Sequence, residues 1–348
     1  MAMESLILEV NDLNISFKIP EGKLNVIRGV SFFLEAGKTL AIVGESGSGK
    51  TVTVRAIMGI LASNEIVENG EILFRNNNEI IDLLTLSKKQ IVSQICGKRI
   101  AMVFQDPMST LNPTIQIGKQ VMEGMIKHQK LTKKEAFEKS LKLLEEVGIT
   151  EAEKRMKNFP HQLSGGMRQR VVIAIALACN PDVLICDEPT TALDVTIQAK
   201  ILELIKNIQR QRNIGVIYIT HDLGVVAKVA DDVAVMYAGK IVEKGTVDDI
   251  FYNPLHPYTR GLLSSVPDID YNEHELYSIP GSPPNLLEQI KGDAFAPRNP
   301  YALNIDYKYE APMFKITNTH SVASWLFHEK APRLEVYPKL SERIQNIL

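Results

Sequence analysis

The chain has 348 residues, 45% of them hydrophobic and 23% charged, with a formal net charge of −2. That length and apolar content suit one large or two ordinary globular domains, and the near-zero charge argues against a general nucleic-acid binder, which carries a basic surplus. The longest purely apolar run, VVIAIALAC at 171–179, is far short of the ~20 residues of a membrane span, and the opening MAMESLILEVND, with Glu4, Glu9 and Asp12, does not read as a signal peptide.

In chain order, ILEVNDLNISF (7–17) mixes apolar alternation with β-formers and reads as the start of a strand pair. TLAIVG (39–44) is a short apolar run ending in Gly, hence a buried strand, and TVTVRAIMGIL after it reads as a helix. RIAMVFQ (99–105) is another buried strand. From Pro113 to Gly148 the period is helical: Thr132 and Glu135 form a capping box, Phe137, Leu141 and Leu144 share a face, and Gly148 is a stop. DVLICDE (182–188) and GVIYITH (215–221) are further buried strands with an amphipathic helix between them, and VAVMYAGKIVEKG (233–245) reads as a hairpin. Apolar runs without alternation mean strands covered on both faces, so a mainly parallel α/β sheet is expected. The cysteines, Cys96, Cys179 and Cys186, lie in apolar contexts without CxxC spacing and read as small core residues in a reducing compartment. After about residue 265 the composition becomes turn-rich, as in SIPGSPPNLLE (278–288), which places a boundary between a domain at 1–265 and a second at 266–348.

Residues 44–51, GESGSGKT, match G-x-x-x-x-G-K-[ST] between a predicted strand and a predicted helix, the setting this phosphate-binding motif requires. Gly44, Gly47 and Gly49 let the backbone wrap closely; the N–H groups from Glu45 through Ser46 and Ser48, and the helix start behind them with Thr53, face the phosphates. Lys50 supplies a point charge to the β- and γ-phosphates, and the Thr51 hydroxyl is a Mg²⁺ ligand. DVLICDEP delivers two carboxylates at the end of a buried strand: Asp187 to hold Mg²⁺ through water, and Glu188 to polarise a water for in-line attack.

LSGGMRQR (163–170) shortly precedes that strand, and with it the chain resembles the ATP-binding cassette (ABC) ATPases over residues ~5–250, with Met167 where the signature has Gln. The resemblance implies a P-loop NTPase cassette: a RecA-like parallel-sheet core, an antiparallel β subdomain and an inserted helical subdomain at about 106–180. It implies head-to-tail dimers in which Ser164, Gly165 and Gly166 face the partner's γ-phosphate and Asp194, in TALD, crosses the dimer. It further implies that Gln105 contacts Mg²⁺ or the attacking water, that His221 contacts the γ-phosphate, and that Phe17 stacks on adenine.

QDPMSTLNP (105–113), HPYTRGLLSSVP (256–267) and IPGSPPNLLE (279–288) resemble the oligopeptide and dipeptide permease group, and its D-type ATPases in particular. That resemblance implies ATP and Mg²⁺ as ligands, a second and different cassette ATPase, two membrane permease subunits, an external peptide-binding protein, and a peripheral place on the cytoplasmic face of the membrane. Dipeptide and nickel import belong to the same group. A soluble ATP-dependent machine using the same cassette is the reading from another class. Relatives of this kind often hold an iron–sulfur cluster on four cysteines after the cassette. This chain keeps the frame, with Gly292, Phe295, Pro297, Arg298, Ala302, His320 and Trp325, but has Asp293, Asn299, Asp306 and Ser324 at the ligand positions. Clusters need thiolates, so none is expected; the Asp and Asn are expected to cap turns, and Phe295, Tyr301 and Trp325 to hold the segment by packing.

Overall fold

The computed structural model describes residues 5–76, 79–191, 193–265, 278–288 and 290–332. The first four residues, Ala192 within TALD, and 266–277, where the expected domain boundary falls, lie outside them.

The first sheet is antiparallel, in the order β2 (Gly22–Glu35), β1 (Leu6–Ile19), β4 (Glu65–Asn76), β5 (Glu79–Asp82). The expected strand at 7–17 lies inside β1, which opens the pair with β2. Its alternation breaks at a bulge where Asp12 takes φ 45°, and register shifts there against both neighbours.

The second sheet has eight strands among the described residues. Its parallel part runs β9 (Asp232–Tyr237), β3 (Thr39–Val43), β8 (Gly215–Thr220), β7 (Val183–Asp187), β6 (Ile100–Val103). Every residue of β3, β6, β7 and β8 is buried, as continuous apolar runs demand of a sheet covered on both faces. β10 (Lys240–Thr246) returns antiparallel from β9, giving the expected hairpin. β12 (Ser321–Val322) then pairs with β10, and β11 (Phe314–Lys315) with β12. The C-terminal segment therefore extends the cassette sheet.

The block between β6 and β7 is helical: Ile117–Gln129, Lys133–Glu146 and Gly165–Leu177 are its main members. The Thr132–Glu135 capping box forms in both directions, and Gly148 sits at φ 80° just past the helix end. These helices share one core with the faces of β6, β7 and β8. A second core joins the antiparallel sheet to the opposite face and to the helix Lys50–Ile57. A third brings Val43, Tyr237, Phe251 and Tyr258 together with Ala294 and Phe295 of the C-terminal segment. Cys179 and Cys186 are buried as expected; Cys96 is half-buried, its thiol donating to the Met58 carbonyl at 3.0 Å.

Candidate active site

Four neighbouring parallel strands end side by side, and each carries the sequence's candidate residues at its C-terminal end, where open α/β sheets bind ligands. β3 runs into the loop 44–49, β8 into His221, β7 into Asp187 and Glu188, and β6 through Phe104 into Gln105. Gln105, Glu188 and His221, with Phe17 of β1, surround an open cleft of about 520 Å³, whose walls include Ser46, Gly47, Gly49, Lys50, Thr51 and Thr191, and Asp187 lies behind Thr51.

Two glycines of the loop, Gly44 and Gly49, are required by contact as well as by conformation. Gly44 has φ 152°, and a Cβ there would lie 2.1 Å from the Met236 carbonyl oxygen. Gly49, at φ 103°, ends the loop directly before the helix Lys50–Ile57. Lys50 is 6% exposed, and its ammonium donates to the carbonyls of Gly44 and Glu45, both at 2.8 Å. Burial pushes its pKa below the ordinary lysine value, against the opposing pull of the Glu188, Asp187 and Glu45 carboxylates. Ser48 and Thr53 are buried behind the loop, with the Thr53 hydroxyl donating to the Gly49 carbonyl at 3.1 Å.

The two adjacent carboxylates part company. Asp187 accepts from the Thr51 hydroxyl at 3.2 Å. Burial raises its pKa, and the neighbouring Glu188 charge adds to that rise while the Thr51 hydrogen bond opposes it. Glu188 has φ 46°, a left-handed backbone uncommon for a residue with a side chain, and its N–H donates to the Ile219 carbonyl at 3.0 Å. One Glu188 oxygen accepts from Gln105 Nε2 at 3.0 Å and from the Thr191 hydroxyl at 3.2 Å, while the other lies 3.0 Å from His221 Nδ1. Gln105, Glu188 and His221, 116 positions apart from first to last, thus meet on a single carboxylate.

The remaining candidates lie elsewhere. Ser164 caps the helix Gly165–Leu177, its hydroxyl accepting from Met167 N at 3.3 Å, and both Ser164 and Gly165 are exposed. Gly166 packs against Ile197, where a Cβ would meet Cγ2 at 2.8 Å. Asp194 is exposed and caps the helix Val195–Arg212 through Ile197 N at 3.0 Å. None of these four lines the cleft of their own chain.

Sequence reasoning left out the groups behind the loop. HPYTRGLL forms the helix Pro257–Ser264, most of it buried. His256 is 1% exposed and pushed down to about 3 by burial, with Arg260 adding; its Nδ1 accepts from Tyr258 N. The Tyr258 hydroxyl accepts from Glu45 N at 2.8 Å. Arg298, known from sequence only as part of a frame, reaches the Glu45 carboxylate. Aromatic residues beside a Pro-containing helix start were the only trace of this layer in the sequence.

At the four frame positions without cysteine, each side chain caps a local turn. Asp293 accepts from Phe295 N, Asn299 from Tyr301 N, Asp306 from Leu303 N and Ser324 from Leu326 N. Of the three expected packing residues only Phe295 is fully buried, against Tyr237, Tyr258 and His256. Tyr301 and Trp325 are half-buried, Trp325 lying against Phe314 and His328.

A glycine-rich phosphate loop after a central parallel strand, a carboxylate pair at the end of the strand two places along the sheet and an inserted helical block define a P-loop NTPase cassette. The family described as ABC transporter matches residues 14–191, and the one described as oligopeptide/dipeptide transporter, C-terminal region, matches residues 242–305. The chain belongs to the ABC transporter family. It is 57% identical over 331 residues to the oligopeptide transport ATP-binding protein OppD of Bacillus subtilis, covering 94% of this chain and 91% of that one. It is 52% identical to the dipeptide transport ATP-binding protein DppD of Lactococcus lactis subsp. cremoris, covering 95% and 94%. Among solved structures, the dimeric post-hydrolysis state of the cassette MJ0796 bound to ADP and Pi superposes with a TM-score of 0.61 at 25% identity, covering 69% of this chain and 99% of that one. ABC cassettes bind and hydrolyse ATP, and this chain is one of them. No helix among the described residues is long and apolar enough to cross a membrane.

Proposed function

We propose that this chain is the ATPase subunit of a membrane importer of peptides, with oligopeptides as cargo, working as one of two different cassettes beneath two permease subunits. In this reading it sits peripherally on the cytoplasmic face of the membrane, an external peptide-binding protein supplies the cargo, and residues 1–265 form the motor while 266–348 form a C-terminal domain packed onto it. The observation that carries the reading is the single carboxylate of Glu188 held between Gln105 and His221 at the mouth of the phosphate loop.

Lys50 and the loop N–H groups hold the phosphates, and Phe17 stacks on the base at the far wall of the cleft. Glu188 takes a proton from water as its oxygen bonds to the γ-phosphorus; the bond from that phosphorus to the β–γ bridging oxygen breaks, and ADP leaves with the electron pair. His221 and Gln105 orient the Glu188 carboxylate, and His221 also reaches the γ-phosphate. Ser164, Gly165 and Gly166 would present a helix N-terminus to the γ-phosphate of the second cassette, beside Asp194. The paired oxygens of Thr51 and Asp187, 3.2 Å apart with Gln105 on the same cleft, are hard donors of the kind Mg²⁺ takes. Bound there, Mg²⁺ would neutralise phosphate charge.

The test is uptake of a labelled oligopeptide by the reconstituted complex carrying Glu188→Gln. Uptake and hydrolysis should both stop while ATP stays bound. Peptide uptake that continues in the variant, or wild-type complex that hydrolyses ATP without moving any peptide, overturns the proposal.

A further inference from the structure

Arg298 lies 253 positions from Glu45 in sequence and grips it in space. Its Nη1 donates to Glu45 Oε2 at 2.9 Å and its Nη2 to Glu45 Oε1 at 3.1 Å, a two-pronged fork that a guanidinium makes and an ammonium cannot. The remaining donors are also committed: Nε to the Pro280 carbonyl at 2.9 Å, and Nη1 again to the Tyr237 hydroxyl at 3.2 Å. The guanidinium lies 5.7 Å from the centre of the Tyr237 ring, and the residue is 7% exposed. So many fixed contacts make it a rigid post standing on the C-terminal segment.

What it holds is the second residue of the phosphate loop. Glu45 is tied at three points: its carboxylate to Arg298, its N–H to the Tyr258 hydroxyl, and its carbonyl to Lys50. Its negative charge is close enough to act on the Lys50 ammonium. A free carboxylate at this place would repel the phosphates the loop is built to hold and would compete for Lys50.

We infer that Arg298 is a positioning residue of the nucleotide site: it holds the Glu45 carboxylate away from Lys50 and neutralises it, so that the C-terminal segment sets the affinity of the phosphate loop for ATP. The inference rests on the reading of Lys50 as the phosphate ligand. It gives the C-terminal segment a role in the ATP cycle that needs no cluster.

The experiment is steady-state ATP hydrolysis by the assembled complex, with KM and kcat separated. Arg298→Met should raise KM for ATP about tenfold and change kcat less than about twofold, because ground-state holding is lost and the attacking groups are untouched. Arg298→Lys keeps the charge but loses the fork and should fall between, at about threefold. Glu45→Gln removes the charge that needs restraint, so adding Arg298→Met to it should raise KM by less than about twofold further. An Arg298→Met effect on KM that is the same in the wild-type and the Glu45→Gln backgrounds, or a loss confined to kcat, overturns the inference. Should Arg298→Met fail to assemble, Arg298→Lys measured with and without Glu45→Gln decides by the same criterion. Wild-type complex without ATPase activity would instead sink the functional reading itself.

Discussion

In and just behind the cleft, Lys50, Thr51, Gln105, Asp187, Glu188 and His221 each touch another functional side chain or the phosphate loop itself. At the starts of the helices Gly165–Leu177 and Val195–Arg212 the picture is reversed: the Ser164 and Asp194 side chains cap backbone N–H groups three positions on, and Ser164, Gly165 and Asp194 face outward. Val195, directly after Asp194, is 81% exposed although apolar. Folding assembles the first group and leaves the second as polar and apolar surface that the described residues do not cover. In the proposed reading, one chain builds part of the site and offers the rest to another.

Four changes probe that contrast. Glu188→Gln strikes the assembled half. It keeps the side chain's size and shape but cannot take a proton, so ATP turnover should fall about 10³-fold, about 4 kcal/mol of barrier, with nucleotide binding retained. A phosphate-release assay beside a fluorescent-nucleotide titration checks both halves of that statement. Gly165→Asp strikes the offered half. A carboxylate in the first turn favours the helix but repels a phosphate brought to its N-terminus, so turnover should fall about 10²-fold while ATP binding to the isolated chain is unchanged. Equal loss of binding would show that Gly165 serves its own cleft.

Asp293→Asn asks whether local partnering inside the tail carries a cost. Burial pushes the Asp293 carboxyl up to about 6, with Asp306 adding, from an ordinary 3.8. The folded protein therefore holds this proton more tightly than the unfolded chain. Stability from the group is complete below about pH 4 and is lost as pH rises through about 6. Asn keeps the acceptor for Phe295 N and cannot ionise. The variant should match wild type in the acid and gain about 3 kcal/mol above pH 6, read from denaturant midpoints across that range. A difference that is flat with pH contradicts the assignment. The smallest effect belongs to Phe17→Ala, which removes one wall of the cleft and should weaken ATP binding about fivefold, about 1 kcal/mol, by equilibrium titration.

Much of this architecture was legible in the sequence, for definite reasons. The strands β3, β6, β7 and β8 are buried throughout and mostly apolar because both faces are covered, so their ends could be located, and Gln105, Glu188 and His221 just past those ends line the cleft. Thr132, Glu135 and Gly148 announced a helix because capping is local. The Arg298–Glu45 fork, the β12–β10 pairing of two residues, and the burial of the helix Pro257–Ser264 were not legible. Each depends on partners far away in sequence and on no periodic pattern that would advertise them. The same holds for the left-handed backbone at Glu188, which local propensity would have argued against and the strand contact at Ile219 enforces.

Particle mass separates an assembled cleft from an offered helix. Purified Glu188→Gln chain, mixed with the second cassette of its complex, should by light scattering double to a two-cassette particle when Mg²⁺ and ATP are added. The Glu188→Gln, Gly165→Asp double variant should stay at the mass of one cassette. A particle that remains single with ATP present, or a doubled particle that is indifferent to Gly165→Asp, would contradict the account.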